Sequence, residues 1–180
     1  MAIWSAGHGA REASTFTDLL VGARIELLAD IRTFPGSRRH PQFGRDPLER
    51  ALRGAGIAYE HLAGLGGRRK GAVSSPHAAL REPGFRGYAD HTASAEFARD
   101  LGRLEALARD RRTAFMCAET LWWKCHRRIL ADILSARGWE VLHLVHSGKE
   151  PERHRMWDLA RVTDEGRVVY DQGEAVLFRL

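Results

Sequence analysis

The chain has 180 residues, 44% apolar and 28% charged, the balance of a folded domain with its own core, which excludes a disordered or fibrous class. No apolar run approaches the roughly 20 residues of a membrane helix. The start, Met1-Ala2-Ile3-Trp4-Ser5-Ala6-Gly7-His8, lacks a basic region followed by an apolar stretch, so neither membrane attachment nor a secretory leader is expected, and the cytoplasm is the expected location. The formal net charge is +5, carried mostly by arginine, whose planar guanidinium suits phosphate and carboxylate recognition but serves equally on solvated faces.

In chain order, Ile3 to Ala6 reads as a first strand ending in the turn Gly7-His8-Gly9. Ser14 is the expected cap of a helix carrying Phe16, Leu19, Leu20 and Ala23 on one face. Ile25 to Ile31 reads as a second buried strand, with Asp30 and Arg32 at its carboxyl end, followed by the loop Phe34-Pro35-Gly36-Ser37-Arg38-Arg39-His40-Pro41. Asp46-Pro47-Leu48-Glu49 has the chemistry of a helix start, and that helix stops near Gly54 and Gly56. Ile57 to Leu62 makes a third strand. Residues 63–92 read as one long irregular segment rich in Gly, Arg, His and Pro, a length that in a compact domain points to function.

Ser94 is the expected cap of the next helix, with Phe97, Leu101, Leu104 and Ala108 at helical spacing. Thr113 to Cys117 reads as strand four, and Cys125 as the opening of a helix that runs through Ile129, Leu130, Ile133 and Leu134 to Gly138. Trp139 to Val145 is strand five, and Arg161-Val162-Thr163 with Val168-Val169-Tyr170 reads as a hairpin turning at Asp164-Glu165-Gly166. Alternating strands and helices imply a single three-layer α/β domain over residues 1–180. Its sheet is expected to be mostly parallel, of about five strands in the order 3-2-1-4-5, with helices on both faces and a C-terminal hairpin or extension. That order places His8 beside Cys117, with Asp30 and Arg32 one strand away, at the carboxyl edge where α/β proteins bind ligands.

The two cysteines lie eight residues apart, with Glu119, Lys124, His126, Arg127 and Arg128 around them. Cys117, at a strand end with cations nearby, reads either as a reactive thiolate or as a small buried apolar residue. Cys125 lies four and eight residues before Ile129 and Ile133, a spacing that favours packing along its own helix over a role as a second thiol. His126 is a candidate ligand, base or phosphate contact, or a helix-start histidine bonded to a loop. Cys117, Cys125, His126 and His8 are residue types that bind zinc, but their spacing matches no short paired-ligand pattern, so no metal and no other cofactor are expected. Glu119, Asp30 and His8 are the candidates for moving protons, although Asp30 beside Arg32 or Arg38 also reads as a structural ion pair. Three basic clusters, Arg38-Arg39-His40, Arg68-Arg69-Lys70 and Lys124 with Arg127-Arg128, together with Arg32, are expected to form an anion-binding rim interleaved with Phe34, Phe43, Phe85, Tyr88, Trp122 and Trp123. Neither Gly7-His8-Gly9 nor Gly64-Leu65-Gly66-Gly67 matches a dinucleotide or nucleoside triphosphate fingerprint.

Several stretches in combination resemble the bacterial domain of unknown function 488 (DUF488) family. They are Ser5-Ala6-Gly7-His8, Leu27 to Arg32 with Phe34-Pro35-Gly36-Ser37-Arg38-Arg39, Leu65-Gly66-Gly67-Arg68, Gly84-Phe85-Arg86-Gly87-Tyr88-Ala89, and Met116-Cys117-Ala118-Glu119 with Cys125-His126-Arg127. The resemblance spans nearly the whole chain and implies a compact α/β domain whose polar motifs, Arg86 and Tyr88 included, line one site. It implies no reaction. A looser similarity, an apolar strand ending in Asp-x-Arg and a later one ending in Cys, is to rhodanese domains, in which Cys117 would carry a persulfide. The favoured expectation is an enzyme, of hydrolase or glycosidase type, acting on a nucleotide or nucleic acid. The alternatives are a non-catalytic nucleic-acid-binding protein and a sulfurtransferase using Cys117.

Overall fold

A computed structural model describes residues 1–36, 38–72 and 74–171. Ser37 of the Pro-Gly loop and the tail beyond Asp171 lie outside the described residues. The strands are β1 (Ala2–Gly7), β2 (Leu27–Asp30), β3 (Ala58–His61), β4 (Thr113–Cys117), β5 (Glu140–Leu144) and β6 (Glu152–Arg153). They form one sheet in the order β3-β2-β4-β1-β5-β6, parallel except for β6. Helices α1 (Ala13–Gly22) and α2 (Arg45–Gly54) cover one face, where Phe16, Leu20, Leu48 and Leu52 pack on Leu28, Ala114 and Met116. Helices α3 (Pro83–His91), α4 (Ala95–Asp110) and α5 (Arg127–Ala136) cover the other, where Tyr88, Leu104, Ile129 and Leu134 belong to one cluster with Ile3, Phe115 and Val141. The hairpin β7 (Arg161–Val162) and β8 (Val168–Val169) joins that second face through Val168. Among the described residues no helix is long and apolar enough to cross a membrane.

The α/β class, the two-sided covering and the C-terminal hairpin match expectation, and the sheet has one strand more. The order differs in one place: β4 sits between β2 and β1 instead of outside β1. The α1 crossover therefore spans two strand spacings and leaves a slot that β4 fills. Hydrophobic periodicity reports which face is buried, not how far a crossover reaches, so it could not reveal the slot. β6 escaped notice because two exposed residues, Glu152 and Arg153, carry no strand pattern. Inside the stretch read as irregular, residues 83–91 are helical: Pro83 fits the first turn, and Tyr88 and Ala89 are buried.

The expected caps divide. Ser94 accepts a hydrogen bond from the Phe97 amide at 3.1 Å, whereas α1 starts after Glu12 without a side-chain cap, and Asp46 falls inside the first turn of α2. Ser94→Ala is expected to lower stability by about 1 kcal/mol in a urea titration, the usual effect of losing an N-cap. A Ser14→Ala change, measured alongside, should stay within about 0.5 kcal/mol.

The parallel register sets the strand ends level. Gly7 pairs with Cys117 and Asp30 with Met116, so the loops after β1, β2 and β4 open at one edge.

Candidate active site

At that edge lies a cleft of about 910 Å³, lined by the loops after β1, β2 and β4, the segment around Gly67 and the start of α3. Cys117 ends β4, and His8, which follows β1, donates its backbone N–H to the Cys117 carbonyl at 3.1 Å. The chain then crosses the edge through Ala118 to Leu121, makes a single 3-10 turn at Trp122–Lys124, and enters α5 at Arg127. Cys125 thus precedes the helix instead of opening it, and the helical spacing that set it apart from Cys117 does not apply. Both sulfurs face each other at 2.7 Å on the cleft floor, and Cys125 Sγ lies 3.4 Å from His126 Nδ1.

One side chain holds this loop. Arg127 is 1% exposed. It donates to the carbonyls of Glu119 and Thr120 and, at 3.1 Å, to Ser5 Oγ. No carboxylate lies within ion-pair distance of it among the described residues. Gly7 is needed beneath the loop, because an added Cβ would run into the Glu119 backbone carbonyl and lie 2.7 Å from Arg127 Nη2. Likewise Gly67 lets its backbone approach the His126 ring, where a Cβ would come within 2.7 Å of Nδ1.

Electrostatics separate the two thiols. Burial, with the hydrogen bond to Cys125, pushes the Cys117 thiol well above its ordinary value. Burial also pushes Cys125 upward, but the hydrogen bond from Cys117 and the Arg127 guanidinium outweigh it and bring Cys125 down to about 7. Burial lowers His126 and brings His8 to about 4, so both imidazoles are neutral near pH 7. His8 Nδ1 bonds the Gly9 carbonyl at 2.8 Å, which assigns the proton to Nδ1 and leaves Nε2 as an acceptor.

The other expected site residues divide between the cleft and its supports. Glu119, Arg68 and Lys124 are exposed at the cleft, and Phe34 stands 75% exposed at its mouth. Arg68 is held at φ 59°, in the left-handed region that a non-glycine residue rarely adopts. Arg32 reaches the cleft with its guanidinium committed: it pairs with Asp30 at 2.6 Å and donates to the Phe43 carbonyl at 2.8 Å. Asp30 does not line the cleft, since it is fully buried and its carboxylate accepts from Arg32 and the Tyr59 hydroxyl. Tyr88 lies beneath His126 with its hydroxyl on the Leu65 carbonyl, and Arg86 donates to the Leu80 carbonyl. Arg38 and Arg39 are exposed outside the lining, on the loop whose Phe34, Gly36 and His40 contribute to it.

A buried polar chain behind the loop had no sequence signal, because its members come from four separate segments. Arg127 donates to Ser5, Ser5 Oγ lies 3.0 Å from His143 Nδ1, His143 Nε2 lies 3.0 Å from His154 Nδ1, and His154 Nε2 lies 2.8 Å from Asp132. Tyr170 also donates to Asp132, at 2.8 Å. With His143 neutral, one direction satisfies every member: the Ser5 hydroxyl donates to His143, His143 to His154, and His154 to the Asp132 carboxylate. Trp122 stacks on His143 at 4.1 Å and ties the 3-10 turn to the same chain.

The sequence profile of the family described as domain of unknown function DUF488 matches residues 12–134, more than half of the chain, and the chain belongs to that family. The matched stretch ends within α5, so β5, β6 and the hairpin, with His143, His154 and Tyr170, lie beyond it. No curated protein and no solved structure matches the chain significantly.

Proposed function

We propose that this DUF488 chain is an enzyme acting on a phosphate-bearing substrate of nucleotide size, bound in the cleft above Cys117, Cys125 and His126. The observation that carries the reading is the meeting of two chemistries in one concavity. Exposed cations, Arg68 and Lys124, stand at its wall, while thiols and a neutral imidazole make its floor. Among the described residues neither cation has an ion-pair partner of the kind that occupies Arg32, and both suit an incoming phosphate. Phe34 offers an exposed aromatic face for a base. Glu119, an exposed carboxylate lining the cleft, and His8, whose Nε2 lies 3.5 Å from Arg32 Nη1, are the groups we assign to take or return a proton. The enclosed thiol–imidazole floor favours catalysis over plain binding, which needs only the cationic rim.

A nucleic-acid strand is the second reading. It is favoured by the exposed Arg38 and Arg39, which extend the cationic rim beyond the cleft. Sulfur transfer through Cys117 draws less support, because burial raises that thiol and Cys125 is the more acidic of the two.

Calorimetric titration with adenosine monophosphate and with a short single-stranded oligonucleotide, beside turnover of a phosphoester panel, tests the proposal. Arg68→Ala combined with Lys124→Ala is expected to weaken binding about tenfold or more, equivalent to about 1.4 kcal/mol. Glu119→Gln should leave binding intact and remove most turnover. Absence of binding to any phosphate ligand at low salt, or turnover indifferent to all three changes, would sink the reading.

A further inference from the structure

The floor of the cleft brings together three donor atoms that the spacing of the sequence kept apart. Cys117 Sγ, Cys125 Sγ and a ring nitrogen of His126 lie within 4.8 Å of one another. From this cluster we infer that the chain holds one thiophilic divalent metal ion of the zinc class, liganded by Cys117, Cys125 and His126 Nδ1, with its fourth position open to the cleft. The use of that fourth position by a substrate rests on the cleft reading above; the metal site itself does not.

The donor chemistry is selective. Two thiolates and an imidazole suit zinc and other borderline-soft ions and poorly suit magnesium or calcium. Three protein ligands with one open position is the arrangement of catalytic zinc, whereas structural zinc takes four. Tetrahedral zinc at about 2.3 Å from each sulfur separates its sulfurs by roughly 3.7 Å. Binding therefore asks the sulfurs to part by about 1 Å from their 2.7 Å separation, while the 3.4 Å between Cys125 Sγ and His126 Nδ1 already fits. Among the described residues His126 Nε2 is buried with no hydrogen-bond partner, so no bond from that nitrogen holds the ring away from the ion, and a neutral imidazole is the form that ligates.

Charge fits as well. Two thiolates neutralise the divalent ion, and the two thiol protons pass to solvent as it binds. Buried Arg127 then remains as a cation without a carboxylate partner among the described residues, so an anion in the fourth position, hydroxide or a phosphate oxygen, completes neutrality. That requirement links the metal to the kind of substrate the rim selects. An added two-electron oxidant would instead join the two sulfurs as a disulfide, taking up two electrons as both thiol protons leave, and so remove both thiolate ligands, which makes the two states separable by experiment.

Protein purified under reducing conditions without chelator is expected to carry one zinc per chain by elemental analysis. After chelation, titration of the reduced protein with cobalt(II) alone should produce a thiolate-to-cobalt charge-transfer band that saturates at one equivalent and is erased by zinc. Cys117→Ser and His126→Ala should each weaken cobalt binding by more than about a hundredfold, beyond what loss of a supporting residue costs. His126→Ala keeps both thiols and serves where Cys117→Ser fails to fold. Two free thiols by titration with no charge-transfer band, or a band unchanged in both variants, would overturn the metal site. Inorganic phosphate separates the two proposals. Binding of phosphate to metal-free protein that never takes up cobalt removes the metal alone. A saturated cobalt site whose spectrum phosphate never perturbs, in a protein that binds no phosphate, removes the cleft reading alone.

Discussion

Replacing Arg127 with alanine is expected to lower folding stability by about 3 kcal/mol or more and to weaken phosphate binding in the same protein. The guanidinium is 1% exposed and donates to three acceptors, the carbonyls of Glu119 and Thr120 and the Ser5 hydroxyl. A hydrogen bond from a charged donor contributes about 1.5–3 kcal/mol, so three of them exceed the loss even after relief of a desolvated cation offsets part. Truncation also leaves a cavity between β1 and the loop, which adds to the cost. Arg127→Lys keeps the charge but presents one compact ammonium in place of a planar fork, and it should recover less than half of the lost stability. Urea titration of both variants, with phosphate binding measured on the folded fraction, checks the result. A fully rescued lysine variant would mean that the charge alone matters and that the fork does not hold the loop.

Acidification should destabilise the protein well before ordinary carboxylates protonate. Burial, with His154 and Arg127 nearby, lowers His143 from 6.5 to about 2. Its folded value lies below its unfolded value, so below pH 6.5 the unfolded chain takes up a proton that the folded chain refuses. The stability is fully present above pH 6.5 and falls as pH drops toward 2. The slope is about 1.4 kcal/mol per pH unit, or about 2 kcal/mol between pH 6.5 and 5. Hydrogen bonding gives the physical reason. A protonated His143 would carry a donor on each nitrogen, and Nδ1 could no longer accept from Ser5. His8, lowered to about 4 mainly by burial, works in the same direction. His143→Gln should be less stable than wild type at pH 7 yet lose less between pH 6.5 and 5. Parallel pH profiles for the two proteins would show that this histidine does not drive the loss.

Much of the architecture was legible because burial leaves a periodic trace. Thr113 to Cys117 reads as a strand with the bounds it has, and Phe97, Leu101, Leu104 and Ala108 define the inner stripe of α4. His8 beside Cys117 was also accessible, since β1 and β4 are neighbours in both the expected and the observed order. Asp30 and Arg32 show the limit. Their position at a strand end was readable, but not that the two satisfy each other and Tyr59, because a partner 29 residues away leaves no local mark.

By itself the sequence determined the layers, the strand carrying Cys117 and the Ser94 cap, all properties set by neighbours within a few residues. Only the tertiary structure decided what stands next to what. It seats β4 in the slot beneath the α1 crossover, and it delays α5 until Arg127, which turns Cys125 back toward Cys117. It also strings Ser5, His143, His154 and Asp132 into one chain behind the loop. Each of these depends on the length of a crossover or on where a helix begins, and hydrophobic periodicity is blind to both because it records a residue's face and not its partner.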